Sequence, residues 1–168
     1  TISWVVALWI ASGAVADILP PQGSEAIESL QVGVFCRPKT VSEMPAPGTQ
    51  DGFISITEES FTIHNDSQQV PAALGLAFGV RAIAKQTIAN VRVTVQRPGR
   101  DTPDVWFDNF AAGEISTDFF SFDRDEERVT GLWTFEAWDG DTRLYHADFE
   151  VVPEVALPDL VAQCQATS

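Results

Sequence analysis

Asp123, Asp125 and Glu127 stand at alternate positions in the run Asp123-Arg124-Asp125-Glu126-Glu127, the densest group of carboxylates in the chain. In an extended loop that spacing aims three hard oxygen donors one way, which suits a cation such as calcium. Asp139 and Asp141 would add oxygens if the two loops share one end of the domain. Against this, no glycine turns the backbone within the cluster, and the pattern is not an EF-hand. The plainer reading is a solvated turn in which Arg124 and Arg128 offset part of the charge.

Other chemistries lack their parts. Paired carboxylates could serve glycoside hydrolysis, but 24 acidic residues supply pairs by chance. His64 and His146 are the only histidines, without HExxH or a Cys/His cluster for zinc. His146 and Asp148 share one strand face, as the orienting half of a triad would, yet no GxSxG elbow provides a nucleophile. No phosphate-cradling glycine loop or dinucleotide fingerprint is present. No catalytic residue is therefore assigned, and calcium is the one cofactor the sequence admits. The remaining site residues are aromatic. Trp106, Phe107 and Trp138 are read as an exposed binding surface, ringed by acids. The alternative is that loop aromatics cap the edge of the fold, while Trp133 lies on an apolar face and belongs to the core.

The charge narrows the partners. The chain has 168 residues, a formal net charge of -14 and a pI near 4.2. Nucleic acid and anionic membrane surfaces both call for Lys and Arg, so neither is expected. A protein or an envelope component remains. The acidity is lopsided: residues 101–168 hold 16 acids and 3 bases, against 8 and 7 in residues 1–100.

Ile2 to Ala11 is almost unbroken apolar sequence, and Ala14-Val15-Ala16 follows as an A-x-A site. This reads as a signal peptide over 1–16, too short for a membrane span. The alternative is an N-terminal core helix. Export implies a periplasmic or secreted protein with no span in the mature chain. In an oxidising compartment Cys36 and Cys164 are expected to form a disulfide.

The rest alternates with period two. After a linker over 17–27, a domain over 28–153 carries strand signals near 30–36, 53–57, 61–63, 74–82, 91–95, 115–122, 133–137 and 145–151. Residues 37–52, with three Pro and two Gly, read as a loop. Asp139-Gly140 signals a two-residue hairpin turn. A tail over 154–168 holds one weak helical period, near 157–165. Seven or eight short strands make an antiparallel, immunoglobulin-like β-sandwich.

The segment Gly131–Val152, GLWTFEAWDGDTRLYHADFEVV, resembles the closing hairpin of the bacterial family called domain of unknown function 3859. Phe78–Gly99 is similar to the middle of that family, and Val32–Cys36 to its opening strand, with Phe35 where Tyr is usual. The resemblance implies a small exported sandwich and carries over no catalytic residue. The expected function is a non-enzymatic binding or structural module of the bacterial envelope. A small periplasmic hydrolase using acidic loop residues and a calcium-stabilised structural domain are the alternatives.

Overall fold

Apolar residues at every second position leave a strand with one face that water must not reach, and here two sheets cover each other. The computed structural model describes residues 18–57 and 62–165. The expected signal segment and Phe61 lie outside the described residues. The strands are β1 (Gln22–Gly23), β2 (Ile27–Cys36), β3 (Thr40–Pro45), β4 (Phe53–Thr57), β5 (Gln69–Ala72) and β6 (Leu76–Ala84). They continue as β7 (Ile88–Gln96), β8 (Asp104–Phe110), β9 (Ile115–Ser121), β10 (Gly131–Asp139) and β11 (Thr142–Pro153), before the helix α1 (Pro158–Gln165). No helix among the described residues is long and apolar enough to cross a membrane.

The larger sheet has the order β1-β11-β10-β7-β8, the smaller one β2-β6-β9, and β3 and β4 form a separate hairpin. The long strand β11 shares its outer edge between two short partners. Its first half pairs antiparallel with β1 and its second half pairs parallel with β5. The other strand pairs are antiparallel.

Seven of the expected strands stand where alternation put them. The additions are strands without an apolar alternation to betray them. β3 falls in the segment expected to be a loop, and nearly all of it is exposed. β5 carries Pro71, a residue confined to sheet edges, and it sits at one. β8 places Asp104, Trp106, Asp108 and Phe110 on its inner face, so acids and aromatics mix and no apolar period shows. Gln22 and Gly23, in the expected linker, pair with His146 and Tyr145. Leu74 was expected on the β6 face but lies exposed in the preceding turn, where Gly75 takes φ 82°. The closing turn is Gly140-Asp141, one residue further on than expected. Gly140 takes φ 56° there, at the first loop position, where a type II′ turn favours glycine.

The core centres on Phe78 of β6. Its ring meets Phe120 and Phe122 on its own side, and Trp133, Phe135 and Phe149 across the sandwich, at centroid distances of 5.2–6.3 Å. Val91, Val93 and Val95 of β7 and Val32 and Val34 of β2 fill the space beside this cluster. The far end of the chain is tied in covalently. Cys36 at the end of β2 bonds Cys164 of α1, 128 residues away, with the Cα atoms 5.1 Å apart. Cys164 is buried and Val161 packs against the core, so the expected tail is docked as a helix.

Two stability effects follow. Phe78→Ala removes the ring that both sheets share and is expected to cost about 3–5 kcal/mol in urea unfolding. Reducing the disulfide frees a loop of 128 residues. In the chain-entropy model that costs about 4–5 kcal/mol. A melting scan with reductant should therefore fall by roughly 8–15 °C.

Candidate functional site

Every sandwich has two open sides, and in this one the edge strands β8 and β9 leave an opening between the sheets. The β3–β4 hairpin arches over that side, and its turn is fastened to β8. Val105 N–H donates to Gly48 O at 2.9 Å, and Gln50 N–H donates to Asp104 Oδ1 at 2.9 Å. Arg124 Nη2 donates to Asp51 Oδ1 at 2.6 Å. Beneath the arch lies a cleft of about 650 Å³, within the range of small-molecule sites.

Period-two alternation decides what faces this space. Asp118 and Phe120 of β9 lie opposite Val80 and Phe78 of β6, and so point into the sandwich. Trp106 and Asp108 of β8 point in from the other sheet and line the same cleft. Asp118 is 3% exposed. Its Oδ2 accepts from the Tyr145 hydroxyl at 2.8 Å, and its Oδ1 accepts from Trp106 Nε1 at 3.2 Å. Burial, reinforced by the charge of Asp108, pushes its carboxyl up to about 7, with the two hydrogen bonds opposing. Burial also raises Asp108 above the ordinary carboxylate range, against a backbone hydrogen bond from Asn109. Tyr145 is held well above its usual value by burial and by Asp118.

Four other carboxylates lining the cleft are paired with arginines. Arg97 Nε donates to Asp104 Oδ2 at 2.8 Å, with both side chains buried. Arg37 Nε lies 3.1 Å from Asp123. Arg124 joins Asp51 to Glu127.

The acidic cluster is not an extended loop with converging oxygens. Asp125–Glu127 is a 3₁₀ turn. Glu127 folds back, and its Oε2 accepts from Asp123 N–H at 2.7 Å and Arg124 N–H at 2.9 Å. Asp125 turns to Arg128 at 2.9 Å. Among the described residues, no three His, Cys, Asp or Glu side chains gather as a metal group. Asp139 and Asp141 cannot join Asp123, because β10 starts beside the acidic turn and ends at Asp139. Nine residues of strand span about 30 Å.

The three aromatics expected as one surface are split between two faces, because neighbouring residues of a strand point to opposite sides. Trp106 points inward to Asp118, whereas Phe107 is 58% exposed on the outer face of the larger sheet. Trp138 is half-buried on that outer face, in one row with Arg92 and Phe107. Arg92 lies over its ring at 5.6 Å. His146 is on the same face, with Nδ1 2.9 Å from Glu136 and Nε2 3.2 Å from Asp148. The hydroxyl joined to this array is Thr134, which donates to Asp148 rather than to the histidine. Asp108 and Asp118 escaped the sequence reading. The one signal for them was an Asp at a strand position where the core face needs an apolar residue.

Fold and cleft together define a small, mostly antiparallel β-sandwich with a ligand-sized opening at one edge. The chain belongs to the family described as domain of unknown function 3859, whose profile matches residues 23–151. Among solved structures it is similar to an immunoglobulin-like protein from Pseudomonas aeruginosa, with 20% identity and a TM-score of 0.48 over 83% of this chain and 100% of that one. No curated protein matches the chain.

The buried carboxylate has a signature in pH. With its native value raised to about 7, Asp118 keeps a proton that the unfolded chain has already released. Its contribution is complete at low pH and is lost as pH rises towards 7. Asp118→Asn does not titrate and keeps the shape. Wild type should lose roughly 2–3 kcal/mol relative to this variant between about pH 5 and about pH 8, read from urea midpoints. For the acidic turn, whose carboxylates are engaged by arginines and backbone N–H groups, millimolar calcium added after chelation should move the melting temperature by less than about 1 °C.

Proposed function

We propose that the chain is an exported, non-enzymatic binding module of the bacterial envelope, periplasmic or secreted, whose ligand site is the cleft between β8 and β9. The observation that carries this reading is the cleft itself. A gap of about 650 Å³ is kept open by a hairpin pinned at its turn, with aromatic and carboxylate groups converging inside. A sandwich does not by itself imply a function, so the site must supply the argument. Export is supported by the signal-like segment 1–16 and by a disulfide, a bond typical of oxidising compartments. A role without catalysis is supported by the ion pairs that already engage four of the carboxylates of the cleft, Asp51, Asp104, Asp123 and Glu127.

One observation favours a hydrolase as a second reading. Asp108 and Asp118 are two carboxylates in one cleft, and one of them is held near neutral pH, as in acid–base pairs. Turnover of an envelope polysaccharide by wild type, lost in Asp118→Asn, would establish it.

The binding reading is checked by recording the tryptophan indole N–H resonances while fractions of an envelope extract are added. The Trp106 resonance, inside the cleft, should shift, and the Trp138 resonance, on the outer face, should stay. Ser55→Trp fills the cleft from β4 and should abolish the shift. A response confined to Trp138, or none, would overturn the assignment.

A further inference from the structure

Apart from Glu43 at the rim, the carboxylates around the cleft fall into two groups. Asp51, Asp104, Asp123 and Glu127 each face an arginine of the protein itself. Asp108 and Asp118 face none among the described residues. The groups acting on Asp118 are its own burial, the like charge of Asp108, and two neutral donors, Tyr145 and Trp106. Each oxygen of Asp118 takes one of those donors and keeps a further acceptor position. Burying a carboxylate without a counter-charge is costly, so Asp118 by itself holds a proton; a cation entering from outside displaces that proton and supplies the counter-charge.

We infer that the inner end of the cleft takes the cationic end of a small organic ligand, an ammonium or guanidinium group, received by Asp118 and Asp108. This rests on the cleft being the ligand site and adds which chemistry enters it. A bare metal ion fits less well, since no three metal-ligating side chains come together among the described residues. An organic cation needs fewer: two acceptor groups for its N–H bonds, and a π-face, which the Trp106 indole offers. The volume admits a chain of several carbons behind the charged head. Glu43, exposed on β3 at the rim, adds negative potential at the entrance.

The test titrates the folded, oxidised protein with three probes of similar length: agmatine, which is cationic, neutral 1,5-pentanediol and anionic glutarate. Chemical shifts of the Trp106 indole and calorimetry serve as readouts. Agmatine should bind in the cleft, with the other two weaker by about tenfold or more, the scale of one charge-assisted hydrogen bond. Asp118→Asn should weaken agmatine by about tenfold, and Asp108→Asn, which does not disturb the buried hydrogen bonds, by several-fold. Leu132→Ala, on the outer face, should leave it unchanged. If the neutral or anionic probe moves Trp106 as strongly as agmatine, or if both Asp variants bind normally, the inferred charge preference is wrong and the cleft reading survives. If no probe of any charge perturbs Trp106, this inference fails; the cleft reading fails only if the envelope fractions leave Trp106 unmoved as well.

Discussion

Phe78 is the contact on which both sheets depend. It sits on the central strand of the smaller sheet and touches rings from both layers. Aromatic pairs at these distances favour edge-on or tilted approaches over face-to-face stacking. Those approaches set the spacing of the sheets where the cluster lies. Away from the cluster the filling is small: Ala82 and Ala84 on β6, and valines on β7 and β2. The sandwich is thus tight at the ring cluster and open at the β8–β9 side.

That open side explains a placement that would be an error elsewhere. A buried Asp on an inner sheet face is expensive unless hydrogen-bonded. Asp118 is tolerated because Tyr145 and Trp106 reach it from the facing sheet, and because the cleft admits solvent beside it. The same three residues tie the sheets together at the edge where apolar packing runs out. Most other charges are spent on architecture. Glu127 organises its own turn, Arg128 reaches the carbonyl of Ala72, and Arg97 stacks over Phe120 while pairing with Asp104.

Much of the fold was legible because its strands advertise themselves. Val91-Val93-Val95 and Trp133-Phe135-Ala137 alternate with polar residues, and the burial follows that period. The disulfide was legible from two cysteines and an expectation of export. The candidate site was not. β8 reads as an acidic loop, since its inward positions are Asp, Trp, Asp and Phe. The Asp123–Glu127 cluster drew attention by its density, yet nearby arginines and backbone N–H groups had already claimed its carboxylates. Density of charge is a local property, whereas an unpaired charge is defined by everything around it.

By itself the sequence determined the class of fold, because period-two alternation and turn residues act over a few neighbouring positions. It determined the acidity of the second half and the covalent pairing of Cys36 with Cys164, which had no competitor. Only the tertiary structure decided which carboxylates would meet. Asp108 and Asp118 are ten positions apart on strands of different sheets, and they face one cleft because the sheets stack with those two edges together. Likewise the split of Trp106 from Phe107 depends on which face of β8 meets the core. That choice belongs to the packing of the two sheets and cannot be made by one strand alone.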